Sequence, residues 1–209
     1  MADIQPELRK FVVPEIVFGQ GARHMVARYA KNFGASKVLI VTDPGIIAAG
    51  WAEEVERNME AAGIPYHLFS DLTSNPKEEE VMAGTEIYRR EQCDTIAVVG
   101  GGSPMDCAKG IGIVSSNGGH ILDFEGIDQI PAPGPPLICI PTTAGSSADV
   151  SQFAIITDTL NVDVPLRKLG MKQSDIAALA GKAVDDPCIA TNPREPTQKD
   201  IERIYEQAL

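Results

Sequence analysis

The segment AVVGGGSPMDCAK, residues 97–109, runs from an apolar strand through three glycines into the start of a helix. Glycines 100–102 lack a Cβ, so they permit positive φ angles and let another group approach the backbone closely. Ser103 is a suitable N-cap, with Pro104 at the first helical position and Asp106 at the third. The segment therefore predicts a strand–loop–helix unit whose helix N–H groups face whatever the loop holds.

Short apolar runs alternate with amphipathic stretches along most of the chain. The predicted strands are 37–42, 65–70, 95–100, 135–141 and 152–158, and the predicted helices cover 46–62, 77–90 and the residues after Ser103. FVVPEIVFGQGA, residues 11–22, predicts two short edge strands, because Pro14 is tolerated only at a sheet edge or a break. This alternation is typical of βαβ units, and strands that are apolar throughout indicate burial on both faces. The predicted fold class is α/β, with a parallel sheet flanked by helices.

Composition narrows the class of protein. The 209 residues are 44% hydrophobic, and 29 acidic against 18 basic residues give a net charge of −11. Such a charge repels nucleic acid and anionic membrane surfaces, and no apolar run approaches the roughly 20 residues that span a bilayer. The four cysteines form no C-x-x-C pair, and the N-terminus does not resemble a secretory signal. We therefore expect a cytoplasmic protein with no nucleic-acid or membrane partner.

The glycine loop has two interpretations. A helix N-terminus binds anions without a basic side chain, so the loop is a candidate phosphate site. Alternatively, the three glycines only make a tight strand-to-helix turn. The dinucleotide fingerprint G-x-G-x-x-G is not met, because Met105 stands where the third glycine belongs.

Two more loops follow predicted strands and should lie at the same edge of the sheet. In TDPG, residues 42–45, Asp43 is either a ribose-binding carboxylate or a turn residue. In TTAGSSAD, residues 142–149, the hydroxyl groups either line a phosphate or nicotinamide amide, or belong to a solvated loop.

Four motifs together resemble the iron-dependent (group III) alcohol dehydrogenases. They are TDPG (42–45), SNP (74–76), VGGGSPMDCAK (99–109) and IPTTAGSSAD (140–149), and they occur in the order found in that family. The resemblance covers residues 11–160 and implies a Rossmann-like nucleotide-binding domain.

The resemblance also implies roles for individual residues. Gly101, Gly102 and Ser103 would contact the pyrophosphate, with Asp106 nearby, and Asp43 would face the adenosine ribose. Asn75, Thr142, Thr143 and Ser146 would line the rest of the dinucleotide site. The implied cofactor is NAD rather than NADP. Many family members have TGSE where this chain has SSAD (146–149), which affects the contacts expected of Ser146 and Asp149.

After Asp158 the sequence departs from the family pattern. Complete members carry a helical domain in which one Asp and three His hold iron or another divalent metal, and here the chain continues into a segment resembling the family's extreme C-terminus. His24, His67 and His120 lie far apart with no H-x-x-x-H spacing. We expect no metal site in this chain, and no catalytic residue is assigned.

The expected organisation is a dinucleotide-binding α/β domain over residues 1–160 and a helical segment over 161–209, a remnant of the metal-binding domain. In this tail Ser174 predicts one helix start, and Thr197 with Asp200 predicts another.

The resemblance implies hydride transfer between NAD(H) and an alcohol or aldehyde in the complete enzyme, which is expected to be a homo-oligomer. Turnover by this chain alone is not expected. Two alternatives stay open: a non-catalytic dinucleotide-binding or assembly module, and a relative of glycerol dehydrogenase or dehydroquinate synthase.

Overall fold

Four parallel strands form the centre of the part of the chain that the structure describes. The computed structural model describes residues 14–126, 129–151, 154–157, 170–184 and 197–208. The strands are β1 (Val38–Val41), β2 (Tyr66–Phe69), β3 (Thr95–Gly100) and β4 (Leu137–Pro141). They lie in the order β2-β1-β3-β4, and each of the three pairings is parallel. The α/β prediction is confirmed.

Within the described ranges, seven α-helices accompany the strands. They are α1 (Val26–Asn32), α2 (Pro44–Ala48), α3 (Trp51–Ala62), α4 (Glu78–Arg90), α5 (Gly102–Asn117), α6 (Ile176–Val184) and α7 (Gln198–Ala208). The predicted helix over 46–62 is wrong as a single element, because Gly50 adopts a left-handed conformation with φ of 78° and separates α2 from α3. None of the described helices is both long enough and apolar enough to cross a membrane.

Two predicted strand regions are not strands where the structure describes them. Residues 14–18 are irregular and lead into a 3₁₀ turn at Ala22–Met25, whereas residues 11–13 lie outside the described ranges. Residues 154–157 form only an isolated parallel bridge, between Thr157 and Lys77, and 152, 153 and 158 are outside the description. Both predictions rested on apolar runs, which do not specify a pairing partner.

Alternate side chains of the central strands enter two separate cores. Leu39, Val41, Ile96 and Val98 pack with buried residues of α4 and α5. Val38, Ile40, Ala97 and Val99 pack with buried residues of α1 and α3. The strands β1 and β3 are therefore covered on both faces, which explains why their sequences are apolar without alternation.

The helical tail pairs α6 with α7, and Ile176, Ala180 and Ile201 are buried. The predicted start at Thr197 is confirmed, since the Thr197 amide donates to Asp200 Oδ2 over 3.0 Å and the Asp200 amide donates to Thr197 Oγ1 over 3.3 Å. The predicted N-cap at Ser174 is wrong, because this residue lies inside a 3₁₀ turn, Gln173–Asp175, that leads into α6.

Helices α4 and α5 pack closely together at Gly84. A Cβ added there would clash with the Ile111 side chain and lie 2.8 Å from Phe69 Cε1. We expect Gly84→Ala to lower the free energy of unfolding by about 1–3 kcal/mol, because the added methyl overpacks the core. Denaturant titration measures this. Gly181→Ala in α6 is the control, because a Cβ at Gly181 meets nothing within 4 Å. Equal effects of the two substitutions would contradict the close approach.

Candidate functional site

The order of the strands creates a crevice at one edge of the sheet. The chain leaves β1 for β2 on one side and then crosses back to β3 on the other side of β1. In open parallel sheets, ligands bind outside the carboxyl ends of the strands at such a switch point. The register pairs Val41 with Val98 and with Phe69, and Gly100 with Pro141, so the loops after all four strands meet at this edge.

The glycine loop joins β3 to α5 without any irregular linker. Gly101 is the N-cap and the helix begins at Gly102, so the predicted N-cap at Ser103 is wrong. The Ser103 hydroxyl instead accepts a hydrogen bond from the Asn75 amide over 3.2 Å. The N–H groups of Gly102 and Ser103 have no intrahelical partner by helix geometry, and Pro104 has no N–H. Two backbone donors therefore point out of the helix start towards the crevice.

The loop after β2 carries Asn75, which is exposed and has a positive φ of 59°. Its backbone bond to Ser103 places it beside the glycine loop. Glu80 of α4 fixes the same loop through three hydrogen bonds. Its carboxylate accepts hydrogen bonds from the Thr73 amide over 2.9 Å, from Thr73 Oγ1 over 2.7 Å and from the Lys77 amide over 2.9 Å. Glu80 was not predicted from the sequence to have this role.

The loop after β4 closes over the glycine loop from the other side. The Thr142 amide donates to the Gly100 carbonyl over 2.9 Å. A Cβ added at Gly101 would lie 2.9 Å from Thr143 Oγ1, and one added at Gly102 would lie 3.4 Å from Ser146 Cβ. The structure thus places Thr143 and Ser146, which are predicted to line the dinucleotide site, against Gly101 and Gly102.

Asp43 lies at the end of β1 and caps helix α2. Its Oδ1 accepts the Ile46 amide over 3.0 Å, so the turn interpretation is correct for this oxygen. The carboxylate remains half-buried at the switch point. Next to it, the buried Thr42 hydroxyl donates to the Val99 carbonyl over 2.9 Å and ties the ends of β1 and β3 together.

Asp106 differs from the other predicted site residues because it is only 9% exposed. Its Oδ1 lies 3.6 Å from Lys109 Nζ, one helical turn further along α5. Burial raises the pKa of Asp106, an effect that Lys109 and the backbone N–H of Ile155 oppose. Lys109 was not singled out from the sequence, although its i+3 spacing from Asp106 was a signal that the two could pair.

A cavity of about 950 Å³ opens beside the strand ends. Its lining includes Phe18, Trp51, Val99, Thr142 and Asp149. The walls are mainly apolar and include all of β4, and Glu15 and Arg23 add charged groups away from the strand ends. Mainly apolar walls with a few polar groups are typical of sites for small organic ligands.

The three histidines lie apart and have separate neighbours. His24 Nδ1 is 3.4 Å from Asn58 Nδ2, His67 is 3.9 Å from the Glu91 carboxylate, and His120 accepts the Leu122 amide. Among the described residues, no three His, Cys, Asp or Glu side chains are grouped to hold a metal ion. This part of the chain does not offer a ligand set that fits the iron implied by the resemblance.

The site supports binding of an extended anionic ligand. Backbone N–H groups and the positive end of the α5 dipole attract a phosphate even in a chain with a net charge of −11. Hydroxyl groups surround this point, and the Asp43 carboxylate and the apolar cavity lie next to it. A dinucleotide combines these chemical features in one molecule.

Comparison with known proteins agrees with this geometry. Residues 14–187 match the family model described as iron-containing alcohol dehydrogenase. The chain is 43% identical over 149 residues to alcohol dehydrogenase 4 of Schizosaccharomyces pombe, covering 71% of this chain and 35% of that protein. It is 36% identical over 177 residues to the NAD-dependent methanol dehydrogenase of Bacillus methanolicus, covering 85% of this chain and 45% of that protein.

A solved structure of 1,3-propanediol oxidoreductase superposes with a TM-score of 0.70 at 36% identity, covering 73% of this chain and 40% of that one. The chain therefore spans less than half the length of these relatives. The matches do not favour the alternatives of a non-catalytic module or of a glycerol dehydrogenase or dehydroquinate synthase relative.

Glu80 provides a test of how the second loop is held. We expect Glu80→Ala to lower the free energy of unfolding by about 1–2 kcal/mol, because three donors lose their acceptor. Glu80→Gln should recover part of that loss, since it keeps one oxygen. Denaturant titration measures both variants against Glu79→Ala, which removes an exposed carboxylate from the same helical turn. A loss as large for Glu79→Ala would mean that only helix-dipole electrostatics is involved.

Proposed function

The chain belongs to the iron-containing alcohol dehydrogenase family, and on this basis we propose that its α/β domain binds NAD(H). In the complete enzyme this cofactor exchanges a hydride with an alcohol or aldehyde. Support for NAD comes from the methanol dehydrogenase relative, which is named as NAD-dependent, and from the site geometry.

The observation that carries the proposal is the close packing around Gly101 and Gly102. A Cβ at Gly101 would lie 2.9 Å from Thr143 Oγ1, too close for a real side chain, and a Cβ at Gly102 would lie 3.4 Å from Ser146 Cβ, at the limit of ordinary contact. A pyrophosphate at the start of α5 would accept hydrogen bonds from the N–H groups of Gly102 and Ser103. The hydroxyls of Thr143 and Ser146 would lie beside it. The backbone of Asn75 would close the third side of this anion site.

Asp43 is proposed to bind the adenosine ribose. One carboxylate oxygen already caps α2, which fixes the side chain at the switch point. A fixed carboxylate accepts hydrogen bonds from ribose hydroxyls and repels a 2′-phosphate. This arrangement favours NAD over NADP.

Hydride chemistry is supplied by the bound nicotinamide, and in this family a metal ion acts as a Lewis acid on the alcohol oxygen. The described residues of this chain hold and orient the cofactor. None of them is assigned to acid–base catalysis.

We further propose how the chain is divided into domains, where it is located and how it assembles. Residues 1–160 would form the dinucleotide-binding unit and 161–209 a helical unit derived from the metal-binding domain. A cytoplasmic location and a homo-oligomeric state complete the proposal.

Gly102→Ala tests the proposed pyrophosphate site. The added methyl would lie 3.4 Å from Ser146 Cβ in the ligand-free protein, which is an ordinary contact, so we expect the domain to fold normally. The same methyl would occupy space needed by the pyrophosphate, and NADH affinity should fall by about tenfold or more, equivalent to about 1.4 kcal/mol. NADH fluorescence titration measures the loss. Gly181→Ala is the control. Unchanged NADH affinity in Gly102→Ala would mean that the glycine loop is only a turn and does not bind the pyrophosphate.

Asp43→Asn tests the proposed ribose contact. Asparagine keeps an oxygen that can accept the Ile46 amide, so the cap on α2 should persist. We expect the unmodified chain to prefer NADH over NADPH by about 1–3 kcal/mol, the scale of a hydrogen bond to a charged group, and the variant to narrow this difference. Parallel titrations with the two cofactors give the ratio. Equal affinities for NADH and NADPH in the unmodified chain would mean that Asp43 does not contact the ribose.

A further inference from the structure

The outer edge of β4 pairs with no strand in the described part of the chain. In the order β2-β1-β3-β4, β4 comes last and pairs only with β3. The amide of Thr142, directly after β4, donates to the Gly100 carbonyl of β3 over 2.9 Å. Backbone groups of successive residues in a strand point to opposite sides, so the residues two and four positions earlier also face β3. The N–H and C=O groups of Leu137 and Cys139 therefore point outward.

The sequence of β4 does not protect this edge. The strand reads LICIP, residues 137–141; it has no charged side chain, and its one proline, Pro141, is its last residue. Charged side chains and internal prolines are two of the features by which edge strands avoid pairing with other chains. The outward groups of Leu137 and Cys139 thus offer a template for a further strand.

A large apolar surface adjoins the edge. The cavity of about 950 Å³ is lined by all of β4 and by six large apolar side chains that are between 41% and 99% exposed. Phe18 is the most exposed of them, and the others are Ile16, Val17, Phe33, Trp51 and Val150. We call β4 and these six residues the β4 patch.

The area of the β4 patch is large for a surface that faces water. An aromatic side chain buries about 150–250 Å² when it is covered, so the three aromatic residues of the patch alone expose roughly 400 Å². A contiguous apolar patch of several hundred Å² marks an interaction site more often than a chance feature of the surface.

The charged side chains beside the β4 patch already have partners within the chain in two of three cases. Glu15, Arg23 and Asp149 line the cavity. The Arg23 guanidinium donates to the Glu54 carboxylate, and the Glu15 carboxylate accepts the Tyr29 hydroxyl over 2.7 Å. A net charge of −11 opposes contact between copies of the chain, and the patch brings few like charges together.

We propose that a second copy of this chain covers the β4 patch, and that the two β4 strands pair antiparallel about a twofold axis to form one continuous sheet. Such a pair is self-complementary, because each outward N–H of one copy meets an outward C=O of the other. The two patches together hide roughly 1,000 Å² or more, the area at which specific interfaces begin. The inference deepens the proposed homo-oligomeric state by naming its surface, and it does not depend on NAD(H) binding.

The first test measures the dimer dissociation constant of the full 209-residue chain by sedimentation equilibrium. The unmodified chain should form a species of about twice 22.3 kDa. Phe18→Glu should raise the dissociation constant by about tenfold or more, because it brings a like charge from each copy into an apolar interface. Ile204→Glu is the matched control: it adds the same charge at an exposed apolar residue of α7 and should leave the dissociation constant unchanged.

Cys139→Pro tests the strand pairing itself. Proline has no N–H and is tolerated in an edge strand where that N–H faces outward, so the pairing with β3 should persist. The dissociation constant should again rise by about tenfold or more, because the outward donor is lost. Cys139→Ala is its control, since it removes the thiol and keeps the N–H. Where Cys139→Pro fails to fold, Phe18→Glu and hydrogen exchange decide.

Amide hydrogen exchange identifies what covers the edge. The amides of Leu137 and Cys139 should exchange faster in Phe18→Glu than in the unmodified dimer, whereas those of Ile138 and Ile140, which face β3, should not change. Equally slow exchange at Leu137 and Cys139 in monomeric Phe18→Glu would overturn the proposal, because another segment of the same chain would then cover the edge.

The oligomeric state separates this inference from the proposal on which it builds. A dimer that neither Phe18→Glu nor Cys139→Pro weakens would overturn the inference alone, because the copies would then meet at another surface. An unmodified chain that stays monomeric at every concentration would overturn both the inference and the proposed homo-oligomeric state. NADH binding is judged independently by the Gly102→Ala titration.

Discussion

The parallel direction of all four strands is the constraint on which the rest of the structure depends. Parallel neighbours cannot be joined by a tight hairpin, so every connection must cross back over a face of the sheet, and here helices make these crossings. The crossings cover both faces, which requires apolar side chains on each side of β1 and β3. They also bring the ends of all strands to a single edge. The parallel direction of the strands therefore both buries the core away from water and brings the polar loops together in one site.

Sequence alone predicts those parts of the molecule in which local pattern and tertiary environment agree. The strands β1 and β3 are short, apolar and followed by turn residues, and each lies within one residue of its predicted bounds. The convergence of Asp43, the glycine loop and Thr142 at one edge follows from the parallel sheet and needs no further information. Helix α1 was not predicted, because the helical pattern of apolar residues is weak over its seven residues.

The remaining differences come from contacts between segments distant in sequence. The local sequence predicts Ser103 as an N-cap. Its hydroxyl instead accepts a hydrogen bond from the backbone amide of Asn75, 28 residues earlier in the chain. Residues 154–157 read as a strand, yet Thr157 forms its backbone bonds with the loop before α4. Asp106 was expected to lie near the pyrophosphate, and only the structure shows that it is buried beside Lys109, one turn further along α5. For Ser103 and Thr157, a partner far along the chain decides the role.

The position of β1 between β2 and β3 affects how the sheet can assemble. β1 is made before either neighbour, and its second edge pairs with a strand that begins only at Thr95, after β2 and α4. The sheet can grow in chain order only by switching edges, because β3 adds to the edge of β1 opposite β2, and closing the β1–β3 pair requires a long loop, which slows folding. Until that closure one edge of a fully apolar strand stays open to pairing with other chains. During synthesis, this interval is when the nascent protein is most exposed to aggregation and most in need of chaperones.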